Sequence, residues 1–321
     1  MKIAIAASLL LCSAAHGGAA EPAAHQQWSL GEVSRWDYVE LDTQRQRLFV
    51  TRGERVQVLD SVKGGVVGEI AKTAGVHGVA LAQDLKLGFT SNGRADTVTV
   101  FELDTLKVLR EVKVSGSNPD AILYEPKVHK LYTFNGKSAN VTVFDVPSMT
   151  VRATIPVGGK PEFAGSDGAG RIFVNIEDKA ELVVIDASAD SVLAHWPLKG
   201  CEEPTGLALD TAHARVFSVC QNKKMVVTDA RSGKQVAELA IGQHPDAAAY
   251  DDASGTVYSS NGDGTLSVIR QIDADHYKAQ APIATVKGAR TMALDAASGR
   301  MMLPAVVDKA FVVLVVALPA K

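Results

Sequence analysis

The sequence predicts an all-β fold, a seven-bladed β-propeller with four-stranded blades. A short strand with a large apolar or aromatic residue near its centre recurs seven times, and successive copies lie 40 to 44 residues apart. In each unit a strand of small and apolar residues precedes this strand, and two further strands follow it. Four strands in a unit of this length are typical of a propeller blade. The residues that mark the recurring strand are Phe49, Phe89, Tyr132, Phe173, Phe217, Tyr258 and Met302.

The later strands of each unit show the alternation typical of β structure. Segments such as TVTVFE (97–102) and ELVVID (181–186) are rich in β-branched residues and alternate in polarity, which favours strands. The apolar spacing of three and four that a helical repeat requires is absent from the sequence. The last unit lacks a fourth strand, whereas the segment QQWSLGEVS (26–34) precedes the first unit. We expect this segment to complete the last blade, which closes the ring and removes an open sheet edge.

Composition and the N-terminal segment predict an exported globular protein. The chain is 46% hydrophobic and 21% charged with a formal net charge of −3, so no basic field favours a nucleic-acid partner. Residues 1–20 combine Lys2, a short apolar run and small residues, which predicts a signal peptide. We expect a periplasmic or secreted monomer with a single propeller domain over residues 21–321. The apolar stretch 310–319 is too short for a membrane span and is predicted as a buried strand.

Two cysteines remain after the predicted signal peptide, Cys201 and Cys220. In an oxidising compartment a disulfide between them is the first interpretation. A free thiol pair and a pair of metal ligands are the alternatives that the sequence leaves open.

The repeat units resemble those of the YVTN-repeat propellers, the YncE-like family of secreted proteins. The segments LFVTR (48–52) and IFVNI (172–176), the V-x-V-x-D strands and the Pro-Asp or Pro-Glu turns carry the resemblance. It implies a propeller fold and a binding role, and at least one member of the family binds single-stranded DNA. The sequence departs from the pattern in MMLPA (301–305) and at Gly78, where other units have Pro-Asp. Fold does not determine chemistry, so the resemblance names no reaction.

Polar residues hold the position directly before or within the start of each unit's first strand. In a propeller these positions share one end of the central channel, so we expect them to converge on a ligand site at its mouth. A solvated rim that caps strand ends is the alternative. The seven residues are Asp37, His77, Asp120, Glu162, Thr205, Asp246 and Arg290.

Two groups of neighbouring residues are expected at the same mouth. In turns such as GSNPDA (116–121) and GQHPDA (242–247), the residue before the proline should be held extended. Its side chain would then lie over the mouth; these residues are Asn118, Lys160, Glu203 and His244. The second group follows the aromatic strands, where Asn-Gly pairs also suit tight turns with positive φ. It comprises Asn92, Asn135, Asn261 and Glu177.

These residues predict a binding protein whose ligand at the mouth is a small molecule or a peptide, or which binds a protein partner. His77, Asp120 and Glu162, with Asp37 beside them, suit a divalent metal such as Ca²⁺, Mg²⁺ or Mn²⁺. A metal-assisted hydrolase or lyase, similar in design to propeller lactonases and streptogramin lyases, is therefore the second candidate. His244 with Glu203 or Asp246 is the best general acid–base pair. A scaffold that binds proteins through its outer faces is the third candidate.

Overall fold

The computed structural model describes residues 25–319, which form β-strands and two single turns of 3₁₀ helix, Gln83–Leu85 and Glu177–Lys179. The predicted signal peptide at residues 1–20 lies outside the described residues. The first strand of the described chain is β1 (Gln26–Ser29). No helix among residues 25–319 is long and apolar enough to cross a membrane.

The first sheet along the chain joins two repeat units through one long strand. β5 is 17 residues long; its first part pairs with β4 and its last part pairs with β6. All pairs in the sheet are antiparallel. The strands are β2 (Val39–Asp42), β3 (Arg47–Thr51), β4 (Gly53–Asp60), β5 (Val66–Ala82), β6 (Leu87–Asn92), β7 (Thr97–Glu102) and β8 (Val108–Lys113).

The next three units each form a four-stranded antiparallel sheet with the strands in chain order. The first of them contains β9 (Pro119–Glu125), β10 (Lys130–Asn135), β11 (Asn140–Asp145) and β12 (Thr150–Pro156). The second contains β13 (Pro161–Ser166), β14 (Arg171–Ile176), β15 (Glu181–Asp186) and β16 (Ser191–Pro197). The third contains β17 (Pro204–Asp210), β18 (Arg215–Cys220), β19 (Lys224–Asp229) and β20 (Gln235–Ala240).

The last two units differ at their outer strands. In the sixth unit the fourth strand is split, because two short strands pair with different parts of the third. In the last sheet the outer position is held by β1, which pairs antiparallel with the final strand, as the sequence predicted. The sixth unit contains β21 (Pro245–Asp251), β22 (Thr256–Asn261), β23 (Thr265–Gln271), β24 (Tyr277–Ala279) and β25 (Ile283–Ala284). The last sheet contains β26 (Ala293–Asp295), β27 (Arg300–Val307), β28 (Ala310–Ala317) and β1.

The core lies between adjacent sheets and is built from the second and third strands. The large residues that mark the recurring strand are all buried, six of them with no exposed surface and Tyr258 at 3%. Burial of one such side chain contributes about 1.5–3 kcal/mol, so the repeat pattern follows the main source of stability. The apolar stretch predicted as a buried strand is β28, and its residues 311–316 are buried.

Hydrogen bonds between neighbouring sheets recur at the first strands. The first strands contact one another in chain order, and β26 also contacts β2. Tyr38 N donates to His77 O at 3.1 Å, and Thr205 Oγ1 donates to Pro245 O at 2.8 Å. Thr291 Oγ1 in turn donates to Asp37 O at 2.8 Å, so the last unit is bonded directly to the first.

A basic residue at the start of the second strand links five units to the next. Each reaches a turn between the third and fourth strands of the neighbouring sheet and donates to a backbone carbonyl there. These bonds are Arg47 Nη2 to Asp104 O (3.1 Å), Lys130 Nζ to Ala187 O (2.7 Å), Arg171 Nη1 to Ala230 O (2.6 Å), Arg215 Nε to Ala274 O (2.9 Å) and Arg300 Nη2 to Ser61 O (3.2 Å).

The predicted disulfide is present. Cys201 and Cys220 are bonded, with their Cα atoms 5.4 Å apart. Cys220 ends β18 and Cys201 lies in the turn before β17, so the bond fixes that turn to the neighbouring strand of its own sheet.

Arg52 holds the segment that joins β1 to β2. Its side chain is buried, and its guanidinium stacks on Phe311 of β28 with 4.0 Å from Cζ to the ring centroid. It donates to the backbone carbonyls of Leu30 and Glu32 and to the side chains of Ser34 (2.6 Å) and Gln57 (2.5 Å). The guanidinium therefore fastens the returning N-terminal segment to the first unit.

We predict that Arg52→Ala lowers the free energy of unfolding by about 2–4 kcal/mol, because several buried acceptors lose a charged donor. Urea denaturation followed by circular dichroism measures the change. Arg270, exposed on β23 with no side-chain hydrogen bond or ion pair in the described chain, provides the control. Arg270→Ala should change stability by less than about 0.5 kcal/mol. Equal losses in the two variants would contradict the role of Arg52.

Candidate functional site

An irregularity in the first strands sets the direction of the predicted site residues. In five units the register between first and second strands shifts at the same place, directly after the position of the turn proline or its equivalent. A shift of this kind interrupts the ladder and re-aims one side chain. The residues at these shifts are His77, Asp120, Glu162, Thr205 and Asp246. The local backbone thus explains why this position differs from its neighbours.

Three of the predicted residues form one group. His77 Nδ1 lies 2.6 Å from Asp37 Oδ2 and 3.4 Å from Asp120 Oδ1. The imidazole side chain is 9% exposed, and each carboxylate is 14% exposed. Burial lowers the pKa of His77, but the hydrogen bond to Asp37 and the charges of Asp120 and Asp37 outweigh it, and the net shift is upward. Burial raises the pKa of Asp120 to about 6, although the charge of His77 opposes the shift.

Lys160, Glu162 and Glu177 form a second group. Lys160 Nζ lies 2.7 Å from Glu162 Oε1 and also bonds to Glu177. Burial, the hydrogen bond to Glu177 and the charge of Asp120 raise the pKa of Glu162 to about 9. Burial acts in the same direction on Glu177, but its bonds to Glu162 and Lys160 hold its pKa below the usual value. At neutral pH the two carboxyls therefore share one proton and one negative charge, which Lys160 balances.

Asp246 and Arg290 form a third group. Arg290 Nε lies 2.9 Å from Asp246 Oδ2, and the Arg290 side chain is 50% exposed. Burial raises the pKa of Asp246 to about 7 despite the charge of Arg290, and the charges of Asp37 and Asp120 add to the rise. We call the side chains of these three groups the mouth residues: Asp37, His77, Asp120, Lys160, Glu162, Glu177, Asp246 and Arg290. Thr205, predicted among them, is buried, and its hydroxyl donates to Pro245 O.

The expectation for the residues before the turn prolines was wrong at three of the four positions; Lys160 is the one without a positive φ. Asn118, Glu203 and His244 are left-handed, with φ of 58°, 46° and 53°, rather than extended. In two of these turns the carbonyl accepts a hydrogen bond from the glycine after the second strand, at 2.9 Å from Gly136 N and Gly262 N. This turn bond, repeated between units, outweighs the local preference that a following proline imposes. Gly75 and Gly288, at the equivalent positions, were the sequence signal for a positive φ.

These residues also differ in what their side chains contact. None of Asn118, Glu203 and His244 has a side-chain hydrogen bond among residues 25–319. In the same range no hydrogen bond or ion pair joins His244 to Glu203 or Asp246, so the structure gives no support to that acid–base pair. Asn118 packs beside His77, because both side chains meet at Gly93.

The three asparagines after the aromatic strands lie inside their sheets. Asn92, Asn135 and Asn261 are fully buried, and none has a positive φ. Each amide oxygen accepts a bond from a hydroxyl two residues earlier, and each amide nitrogen donates twice to the third-strand region. Their hydrogen-bonding capacity is therefore used within the sheet, and we leave them out of the site. The tight-turn explanation by positive φ also fails for them.

Tyr38 is the mouth component that the sequence analysis missed. Burial raises the pKa of Tyr38 far above its usual value, and the charges of Asp120, Glu162, Asp37 and Asp246 raise it further. Its phenol is thus surrounded by carboxyls from four units. Its ring packs edge-on against Phe163, with centroids 5.2 Å apart. The signal was a size difference, because four equivalent positions hold the small residues Gly78, Ala121, Gly206 and Ala247, whereas Tyr38 and Phe163 are large.

Tyr38 and Phe163 also border a small cavity below the mouth residues. It measures about 70 Å³, and its lining includes Glu40, Ile122 and Met292. The two rings therefore lie at the edge of this cavity, and each directly follows a mouth residue in the chain. Burial and the charge of Asp42 raise the pKa of Glu40 to about 8, so this carboxyl is mostly protonated at neutral pH.

Comparison with solved structures identifies the fold as a β-propeller. The chain is similar to Kuenenia stuttgartiensis hydrazine synthase (TM-score 0.76, 15% identity, 96% of this chain and 100% of that chain). It is also similar to a chain of the mitotic checkpoint complex (TM-score 0.77, 14% identity, 98% of this chain and 99% of that chain). A third similar structure is that of the RRP9 WD40 repeats (TM-score 0.79, 9% identity, 91% of this chain and 98% of that chain). At identities this low the likeness extends to the fold alone. No family model and no curated protein matches the sequence.

We predict that Gly93→Ala destabilises the mouth and Gly136→Ala does not. A Cβ on Gly93 would lie 2.5 Å from Asn118 Nδ2 and 2.6 Å from His77 Nε2, whereas on Gly136 the nearest atom is Lys160 Cε at 3.7 Å. The first variant should lose about 1–3 kcal/mol through overpacking and shift the His77 imidazole signals in NMR spectra. Gly136→Ala occupies the same turn one unit later and is the matched control. Unchanged His77 signals in Gly93→Ala would contradict the packing described here.

We predict that Glu40→Gln removes a pH-dependent loss of stability. The pKa of Glu40 is raised on folding from 4.5 to about 8, so the folded chain binds this proton more tightly than the unfolded chain. Its contribution is present below pH 4.5 and is lost as the pH rises through about 8. The variant should match the parent near pH 4.5 and exceed it at pH 9 by an amount on the order of 1–4 kcal/mol.

Urea denaturation across this pH range measures the difference. Glu111→Gln, at an exposed position on β8, is the control and should shift stability by less than about 0.5 kcal/mol at every pH. A stability difference for Glu40→Gln that does not grow with pH would be inconsistent with a buried, protonated Glu40.

Proposed function

We propose that this protein is a periplasmic or secreted propeller of seven blades that binds a ligand at the mouth residues. The contacts of the seven first strands in chain order, with β26 against β2, support a closed ring of seven blades. The pairing of β1 with β28 supports closure by the N-terminal strand. On this proposal residues 1–20 are a signal peptide, residues 21–321 are one domain, and the units are YVTN repeats of the YncE-like type.

One observation carries the binding role: buried carboxyls from several blades converge around Tyr38. Asp120, Glu162 and Asp246 have raised pKa values mainly because burial disfavours their charge. The fold does not need these charges, since Thr205 fills the same position of the fifth unit with a neutral hydroxyl. Buried groups with such shifts are concentrated at functional sites. A polar small molecule or a peptide group that donates hydrogen bonds or carries positive charge would stabilise the carboxylates.

Mouth variants with matched outer variants test this role. A library of periplasmic metabolites and short peptides is screened by thermal shift in the presence of a chelator, and hits are measured by calorimetry. We expect a ligand whose affinity falls at least tenfold in Asp246→Asn and Lys160→Ala and stays unchanged in Glu111→Gln. The proposal would be overturned in favour of a scaffold by a ligand or protein partner with a different dependence. Its binding would be unchanged in the mouth variants and lost when the exposed outer-strand residues Val108 and Leu109 are substituted. The scaffold is retained as a candidate because the chain is similar in fold to a chain of the mitotic checkpoint complex.

A metal-assisted hydrolase or lyase is the second candidate. The observation that favours it is that ligand atoms of Asp37, His77 and Asp120 all lie within 4.8 Å of one another. A metal held there could polarise a carbonyl. Metal-dependent turnover of lactone or ester substrates that disappears in His77→Ala would support it. The acid-rich mouth gives no reason to propose a nucleic-acid ligand.

A further inference from the structure

The charges of the mouth residues are balanced unequally. Lys160 is paired with Glu162 and Glu177, and Arg290 is paired with Asp246. Asp37 and Asp120, in contrast, have no lysine or arginine ion pair in the described chain; His77 is their one charged contact, and the charges of Lys160 and Arg35 act on Asp120 only from a greater distance. Two largely buried carboxylates therefore share one imidazole, which carries at most one positive charge.

The hydrogen bonds of the two carboxylates are equally incomplete. Asp37 Oδ2 accepts from His77 Nδ1 at 2.6 Å. Within residues 25–319 no other hydrogen bond reaches either side chain, and Asp120 Oδ1 is 3.4 Å from the same nitrogen. Three carboxylate oxygens of these mostly buried side chains therefore have no donor from the described residues, and they stay accessible to a group from outside the protein.

We propose that Asp37, His77 and Asp120 bind one divalent transition-metal ion, through His77 Nδ1 and one oxygen of each carboxylate. The proposal deepens the proposed function, on which it rests for the accessibility of the mouth. One imidazole nitrogen and two carboxylate oxygens suit Mn²⁺ or Zn²⁺, whereas Ca²⁺ requires six to eight oxygen ligands. The expected ligand set changes accordingly: Asp37 replaces Glu162, whose carboxyl is engaged by Lys160 and Glu177.

The three ligands are held by backbone contacts before any ion binds. Asp37 N donates to Thr51 Oγ1 at 3.0 Å, and Asp37 O accepts from Thr291. The carbonyls of His77 and Asp120 accept from Tyr38 N and Ser91 Oγ. A site fixed in this way loses little entropy when it binds. Three protein ligands also leave coordination positions for water or for a second ligand at the mouth residues.

The test uses chelator-treated full-length protein and MnCl₂, ZnCl₂ and CaCl₂ as probes. Calorimetry and elemental analysis should give one Mn²⁺ or Zn²⁺ per chain and at least tenfold weaker binding of Ca²⁺. Asp37→Asn, His77→Ala and Asp120→Asn should each weaken Mn²⁺ binding at least tenfold. Pulsed electron paramagnetic resonance of the Mn²⁺ complex should show a coupled imidazole nitrogen that is lost in His77→Ala.

Two controls separate this site from other carboxylates and histidines. Glu111→Gln, at an exposed carboxylate on β8, should leave Mn²⁺ affinity within threefold of the parent. His195→Ala removes a histidine that lies 3.1 Å from Glu181 on an outer strand, a similar His–carboxylate pair, and should change nothing. Urea denaturation without metal checks that each variant folds. If His77→Ala does not fold, the isosteric variant Asp120→Asn still tests the site.

The outcomes distinguish this proposal from the proposed function. Absence of binding below about 1 mM, or Mn²⁺ binding that survives all three ligand variants, would overturn the metal site. If the metal tests fail but a metabolite binds in the presence of chelator and its binding is lost in Asp246→Asn, the metal site is overturned and the binding role stands. If one metal ion binds per chain but the screen finds no metabolite, the metal site is supported and the proposed ligand-binding role is not.

Discussion

The pairing of β1 with β28 is the interaction on which the other parts of the structure depend. Without it the last sheet would expose the edge of an apolar strand, which promotes association with other chains. The same pairing brings the segment after β1 across Arg52, whose donors hold the carbonyls of Leu30 and Glu32. Asp37 follows this segment and is bonded to Thr291 of the last unit. One of the central side chains of the mouth is thus positioned by the contact between the two ends of the chain.

The end of the second strand shows how one repeated position serves different structural needs. Asn92, Asn135 and Asn261 use it to bond to the third-strand region of their own sheet. Arg52 uses it in the first unit to hold the N-terminal segment, and Cys220 uses it in the fifth to fix a turn by a disulfide. All five side chains act within the scaffold. The position therefore stabilises the scaffold, while the neighbouring first-strand position, interrupted by the register shift, supplies four of the mouth residues.

The sequence predicted the features that depend on repetition, because each unit faces the same packing problem. The buried marker residues such as Phe89 and the outer position of β1 followed from it, whereas the disulfide was expected from the two cysteines that remain after the predicted signal peptide. Features that depend on particular turn and side-chain contacts within one unit were missed. The left-handed φ of Asn118 is set by a bond to Gly136, and Glu162 leaves the expected metal group because Lys160 and Glu177 engage it. Tyr38 was missed because the alignment of units compared charged positions and not the size of the residues that follow them.

The turns GSNPDA (116–121) and GQHPDA (242–247) illustrate how a repeated backbone can carry unequal chemistry. Their pre-proline residues have φ of 58° and 53°, and both carbonyls accept a bond of 2.9 Å. The backbone is therefore the same, but Asn118 meets His77 over Gly93, whereas His244 is exposed to solvent. Because the turn bond already determines the conformation, the side chain at this position is free to differ. The chemical surroundings of each turn then depend on its unit: the turn of Asn118 borders the Asp37, His77 and Asp120 group, and that of His244 borders the ion pair of Asp246 and Arg290.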